Sequence, residues 1–108
     1  MLARKFRLPA TTQFKNSHTV REDMFVVKFQ KNNLSYDRFG FVVAKTIDKR
    51  AVIRNALKRM VRGHIENTYL DLEKSVDVLF ILRPAIKGMP REQVVREIDE
   101  VMLRVKSL

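Results

Sequence analysis

The sequence predicts an α+β fold, a two-layer α/β sandwich in which about three helices pack on one small mixed sheet, in the order α-β-β-(β)-α-β-α. Three observations carry this expectation. Residues 24–31 and 38–45 alternate large apolar residues with polar or small ones at period two, the mark of a strand with one covered face. Residues 77–83, D-V-L-F-I-L-R, form a short apolar run of the kind found in strands covered on both faces. Residues 49–62 and 91–106 place their apolar side chains at helical spacing, without an internal Gly or Pro.

In chain order, the first 21 residues are basic, with Arg4, Lys5, Arg7 and Lys15 and no acidic residue before Glu22. Pro9 suits the first turn of a helix, where its missing N–H costs nothing. A short helix is therefore expected at 10–14, limited by the weak helix formers Thr12, Asn16, Ser17 and Thr19. In the first strand, 24–31, Phe25, Val27 and Phe29 share one face, and Val26, Lys28 and Gln30 share the other. Asn32, Asn33, Ser35 and Asp37 favour a turn, so 38–45 is expected to return as the second strand of an antiparallel hairpin. Phe39, Phe41 and Val43 form its large-residue face. Gly40, Val42 and Ala44 leave the opposite face shallow, and Gly40 marks a bulge or a close backbone approach.

Residues 49–62, K-R-A-V-I-R-N-A-L-K-R-M-V-R, are rich in helix formers. On a wheel at about 100° per residue, Ile53, Ala56, Leu57, Met60 and Val61 gather on one side, and Arg54, Asn55, Lys58, Arg59 and Arg62 on the other. Arg54, Lys58 and Arg62 form an i, i+4, i+8 row, and no acidic residue occurs between Asp48 and Glu66. Like charges at this spacing cost about 0.2–0.5 kcal/mol per pair, so the row implies an anionic partner. The helix is expected to reach 66–69, followed by the buried strand, a loop at 84–90 and a last helix at 91–106. Val94, Val95, Ile98, Val101, Met102 and Val105 of that helix should cover the sheet.

The chain has 108 residues, 45% hydrophobic and 31% charged, and reads as a single domain, residues 1–108. Its net charge of +10 points to a polyanion. No apolar run approaches the ~20 residues needed to span a bilayer, and the first 15 residues lack the continuous apolar segment of a signal peptide. A cytoplasmic, nucleic-acid-handling protein is expected. The absence of Cys excludes disulfides, Cys-based zinc sites and a thiol nucleophile. His18 falls in a polar stretch and His64 on the apolar side of the basic helix, where it reads as a packing residue. The acidic residues are scattered, with Glu92, Glu97, Asp99 and Glu100 on the last helix, and no metal or phosphate-loop motif is present. The protein alone does not look catalytic; its chemistry is recognition of phosphates by Arg and Lys.

The segment 39–62, F-G-F-V-V-A-K-T-I-D-K-R-A-V-I-R-N-A-L-K-R-M-V-R, resembles the signature region of the bacterial ribonuclease P protein subunit. Gly40, Val43, Ala44 and Lys45 match that family's strand, and Arg54, Asn55, Lys58, Arg59 and Arg62 its basic helix. Arg7-Leu8, Phe14, F-V-V at 25–27 and D-V-L-F-I-L-R-P at 77–84 extend the likeness over nearly the whole chain. Two positions depart from the pattern: Ala56 stands where the family carries a second Arg, and no aromatic follows Phe14 until Phe25.

The resemblance implies a left-handed crossover through the basic helix and a protein that is not itself the catalyst. A large RNA subunit with bound Mg²⁺ would cleave the 5′ leader from precursor tRNA, with no metal held by protein side chains alone and no stable protein partner. It also implies that Lys45, Lys49, Arg50, Arg54, Asn55, Lys58, Arg59 and Arg62 contact the RNA subunit, while Phe14, Val26, Lys28, Val42 and Ala44 line a cleft for the leader. A shallow face with an aromatic and a cation is independently suited to unpaired nucleotides. The competing readings are a stand-alone RNA-binding or ribosome-assembly module, a protein-only nuclease, and a membrane-surface protein. The last is disfavoured because the helix lacks large aromatics on an apolar face that the sheet itself requires.

Overall fold

The computed structural model describes residues 3–108; residues 1 and 2 of the expected domain lie outside them. The strands are β1 (His18–Arg21), β2 (Phe25–Lys31), β3 (Arg38–Val42) and β4 (Val76–Leu82), and the helices are α1 (Ala51–Thr68) and α2 (Arg91–Lys106). Single 3-10 turns occur at Arg4–Phe6 and Pro84–Ile86. The described residues thus hold two α-helices and not three.

The sheet order is β1-β2-β4-β3, with β4 antiparallel to β2 and parallel to β3. The expected hairpin between 24–31 and 38–45 does not form, because β4 lies between the two strands. The connection at 32–37 is built for that separation, about 10 Å for two inter-strand steps. The Asn32 side chain donates to the Tyr36 carbonyl and to Asp77 Oδ1, and its backbone N–H donates to Ser75 O. The buried Asp37 carboxylate accepts from the N–H groups of Lys74 and Val76. Both ends of the connection are therefore tied to the start of β4. What the sequence presents as a turn is a bridge across a third strand.

The hairpin that does form joins β1 and β2, with Val20 opposite Val27. The sequence offers no strand signal at 18–21, because only Val20 of this edge strand is buried and His18, Thr19 and Arg21 are exposed. An edge strand with one apolar residue carries almost no hydropathy pattern.

The predicted faces hold for residues 25–30 and for Phe39 but not throughout 38–45, and Val95 of α2, expected over the sheet, is only half-buried. Phe25, Val27, Phe29, Phe39, Val78, Phe80 and Leu82 are buried beneath α1 and α2, with Val61 and Ile65 supplied by α1 and Val94, Ile98, Val101, Met102 and Val105 by α2. Phe80 is the hub: its ring meets Phe25 edge-on at 5.6 Å and stacks on Phe41 at 5.7 Å. Phe41, expected in the core, is only partly buried at its margin, as is Val43, which lies beyond the end of β3.

The opposite face is made of register rows. Arg21, Val26, Ile81 and Val42 form one; Thr19, Lys28, Leu79 and Gly40 the next; Gln30, Asp77 and Arg38 the third. In place of the expected helix at 10–14, the chain pairs Arg7 with Phe39 in an isolated bridge, and Leu8 N–H donates to Phe39 O. It then turns at residues 9–12 and crosses the open face, where Gln30 Nε2 donates to Gln13 O. The pairing at Arg7 and Leu8 precedes the expected helix, and within 10–14 the chain forms only the turn closed by Thr12 N–H to Pro9 O, because so short a helix does not offset its own nucleation.

The two stacked rings separate full from partial burial. Phe80→Ala should cost about 3–5 kcal/mol, and Phe41→Ala distinctly less, in urea unfolding midpoints at unchanged slope. Equal costs would contradict the placement of Phe41 at the core margin.

Candidate nucleic-acid interface

The first candidate surface is α1. Its apolar stripe packs inward through Val61 and Ile65, with Leu57 and Met60 partly buried against the core. The cations predicted to share the outer face divide into two groups. Arg50 pairs with Asp48, which accepts from Arg50 Nε at 3.1 Å, Nη2 at 3.0 Å and the backbone N–H at 2.8 Å. Lys87 reaches the same carboxylate at 3.1 Å. These contacts hold the Asp48 carboxyl well below the usual carboxylate range, chiefly through Arg50. Arg54 is half-buried and donates through Nη1 to Asp48 O at 2.9 Å and Lys49 O at 2.8 Å. Its guanidinium therefore staples the loop carbonyls ahead of the helix. Arg62 lies 3.6 Å from Glu66 one turn on, so the basic face is partly neutralised after all.

The remaining cations face outward. Lys45, Lys49 and Arg59 are exposed, as are Asn55 and Ala56. Ala56 in place of a family Arg thus removes a surface charge and no packing. Lys58 and Arg62, with Arg7, Leu8, Phe39, Gly40 and Phe41, line a cavity of about 300 Å³ between α1 and the N-terminal segment. Arg7 is a member that sequence reasoning left out; its signal was the Arg-Leu pair preceding Pro9.

The second candidate surface is the open face of the sheet. Leu8, Pro9, Ala10, Thr12 and Phe14 form one wall of a cavity of about 240 Å³ whose floor is Gly40, Phe41, Val42 and Leu79. A Cβ on Gly40 would lie 3.1 Å from Leu8 Cβ and from Leu79 Cδ1, so this glycine sets how closely the wall approaches the floor. Phe14, Val26 and Lys28 are half-buried, and Val42 is 44% exposed, an unusual exposure for a strand valine. Ala44, predicted on this face, is not part of it. β3 ends at Val42, and Ala44 opens the turn closed by Ile47 N–H to Ala44 O.

One end of this face is closed by charge pairing. Asp77, 2% exposed, accepts from Arg38 Nε and Nη2 at 2.9 Å each and from Asn32. Burial by itself would raise the Asp77 pKa, but the hydrogen bonds from Arg38 and Asn32 outweigh it and hold the carboxyl below its ordinary range. The same contact raises Arg38.

His64 is a packing residue, as expected, but a polar one. Its Nε2 lies 2.7 Å from Asp99 Oδ1, which also accepts from the Tyr69 hydroxyl. Burial would raise Asp99, yet His64 and Tyr69 together hold it low. This cluster joins α1 to α2 and lies on neither candidate surface. Among the described residues no group of three or more His, Cys, Asp or Glu could hold a metal ion, and no helix is long and apolar enough to cross a membrane.

Comparison with known proteins agrees with this geometry. A family model described as Ribonuclease P matches residues 2–106. The ribonuclease P protein component of Thermotoga petrophila is 33% identical over 97 residues, which cover 90% of this chain and 75% of that protein. The component from a Psychrobacter species is 34% identical over 70 residues, 65% of this chain and 53% of that one. The solved Staphylococcus aureus RNase P protein superposes with a TM-score of 0.81 at 26% identity, covering 94% of this chain and 95% of that chain. The Thermotoga maritima protein gives 0.79 at 27% identity, with 91% and 96% covered.

The Asp77 pairing makes a signed prediction. A carboxyl held low in the folded state stabilises the protein fully above its ordinary pKa of about 3.9, and that contribution is lost as pH falls through the lower folded value. Asp77→Asn should therefore lower the urea midpoint at pH 7 and flatten its decline below about pH 4. A variant that declines with acid as steeply as the parent would refute this assignment.

Proposed function

The chain belongs to the ribonuclease P protein family, the protein component of an RNA-based endoribonuclease of tRNA processing, and from that premise we propose how its two surfaces divide the work. The outward cations of α1 and of the turn before it, Lys45, Lys49, Lys58 and Arg59, bind phosphates of the ribonuclease P RNA. Arg62 assists from the cavity it shares with Lys58 and Arg7. Arg50 and Arg54 serve chiefly to fix the start of the helix, and Asn55 projects beside them. The open face, with Phe14, Val26, Lys28 and Val42, holds the single-stranded 5′ leader of precursor tRNA, while Ala44 contributes only to the turn beside it.

The observation that carries this reading is the separation of two unlike surfaces. One is a helix that presents cations, with Val52 exposed at its first turn, suited to a folded RNA backbone. The other is a shallow, largely apolar floor with Phe14 on its wall and Phe41 in its floor, suited to unpaired bases. Mg²⁺ belongs, on this reading, to the RNA subunit, where it would supply the activated water and charge stabilisation of phosphodiester cleavage. Among the described residues no group of three or more His, Cys, Asp or Glu could hold a metal ion, and on this reading the protein's part is to bind and position. A left-handed β3–α1–β4 crossover and action in the cytoplasm go with the same reading.

Reconstitution with a bacterial ribonuclease P RNA tests it. The protein should promote cleavage of precursor tRNA at modest salt and tighten binding of leader-bearing over mature tRNA. RNA affinity without any effect on precursor processing would instead favour a stand-alone RNA-binding or assembly role. Cleavage by the protein with Mg²⁺ and no RNA subunit would favour a protein-only nuclease.

Two sets of substitutions resolve the surfaces. The combined change of Lys49, Lys58 and Arg59 to Ala should weaken RNA-subunit binding and flatten its salt dependence, by up to about 0.9 in slope for each phosphate that is no longer neutralised. Arg54→Ala should show its effect mainly in thermal stability, because its guanidinium is committed to Asp48 O and Lys49 O. Phe14→Ala should cost about 1–3 kcal/mol in binding leader-bearing tRNA and leave mature tRNA unaffected. Equal losses for both RNAs would make Phe14 a support of the fold and no reader of substrate.

A further inference from the structure

Three cations stand on the open face of the sheet, and the structure treats them differently. Arg38 is locked to Asp77 by two hydrogen bonds. The side chains of Arg21 and Lys28 make no hydrogen bond or ion pair among the described residues. Arg21 lies on this face because Val20, its neighbour in β1, is buried on the other, and the register sets Arg21 beside Val26 in the row that continues to Ile81 and Val42. Lys28 occupies the next row, beside Thr19. The two are thus a diagonal cross-strand pair, about 7–8 Å apart at the backbone. That spacing is unfavourable for like charges unless an anion bridges or faces them.

The acids next to Arg21 in sequence do not supply that anion. Neither Glu22 nor Asp23 forms an ion pair with Arg21 or Lys28 among the described residues. The Glu22 backbone carbonyl is engaged by Arg83. In the row of Arg21 the floor is aliphatic, made of Val26, Ile81 and Val42; in the neighbouring rows Thr19 stands beside Lys28 and Gln30 donates to the Gln13 carbonyl. Phe14 is the aromatic on the far wall of this surface, across from Phe41 in the floor, whose ring stacks on Phe80.

We propose that Arg21 and Lys28 bind consecutive phosphates of an extended single-stranded RNA that crosses the sheet from β1 toward Phe14, so that the face reads backbone charge and not base sequence. This rests on the leader-binding role proposed for the cleft and deepens it. Arg21 is a substrate-positioning residue absent from the signature segment, and the ligand class is single-stranded RNA of nearly any sequence. Guanidinium and ammonium groups recognise phosphate irrespective of the base attached. Aliphatic side chains offer no donors or acceptors to base edges. Base preference is therefore confined to the nucleotide that meets Phe14.

The test uses the holoenzyme reconstituted with ribonuclease P RNA, and precursor tRNAs whose leader phosphates are replaced one at a time by uncharged methylphosphonates. With the parent protein, neutralising either of two adjacent leader phosphates should weaken binding several-fold. In Arg21→Ala one of those effects should vanish, and the salt slope for leader-bearing tRNA should fall by about 0.7. Arg21→Lys should restore the slope, and affinity for the RNA subunit should not change in either variant. Leader base changes should alter binding by less than about twofold at every position but one, where discrimination disappears in Phe14→Ala. The proposal is overturned if Arg21→Ala keeps the parental slope and methylphosphonate pattern, or if base changes at several positions shift affinity. If the parent itself fails to distinguish leader-bearing from mature tRNA, the cleft reading falls with it, and that outcome is separable because it needs no variant.

Discussion

The structure depends on β4 being covered on both faces. Val76, Val78, Phe80 and Leu82 point into the helical layer, and Leu79 and Ile81 point the other way, so an uncovered side would leave large aliphatic surface in water. The helices solve one side completely, with Val94, Ile98, Val101 and Met102 of α2 and Val61 and Ile65 of α1 excluded from solvent. The other side is solved only in part. The N-terminal segment walls the side near Gly40, Val42 and Leu79 and reaches Gln30 through the Gln13 carbonyl. The candidate leader cleft is the part of the sheet that this segment borders through Phe14 and leaves partly exposed, with Val42 44% exposed.

The central place of β4 also explains the polar groups buried around it. Separating β2 from β3 by one strand forces a connection to pass the end of β4, where backbone N–H groups would otherwise lack partners. Asp37 accepts two of them, and Asn32 and Arg38 converge on Asp77. A buried carboxylate is tolerated there because it is fully hydrogen-bonded, not because an ion pair is inherently stabilising. The pairing also removes Arg38 from the charge available to a ligand and leaves the uncommitted cations at the β1 side.

A similar division runs along α1. Arg50 and Arg54 carry the same charge as Lys58 and Arg59, but they lie where the chain enters the helix without a side-chain N-cap. Arg54 reaches back to loop carbonyls and Arg50 to Asp48, and Lys87 ties the same corner to the β4–α2 loop. The start of the helix is thereby tied to the preceding loop by side-chain hydrogen bonds. A motif that reads as one row of equivalent charges separates, in three dimensions, into cations committed to the fold and cations left facing solvent.

The sequence by itself determined the elements whose pattern is dense: α2 at 91–106, the body of α1, β4, and the inward set Phe25, Val27, Phe29 and Phe39. It also determined the charge imbalance and, through the strand-and-helix signature, the family. Each of these is encoded locally, in a period of 2 or 3.6 residues or in a fixed spacing. Only the tertiary structure decided the strand order, because pairing depends on which strand most needs cover and not on which is nearest in sequence. Only it found β1, whose single buried residue leaves no period to detect, and only it brought Arg21 onto the face that holds Lys28. It likewise left a single turn at 9–12 in place of the expected helix at 10–14, after Arg7 and Leu8 pair with β3, because a helix of five residues does not offset the cost of its own nucleation.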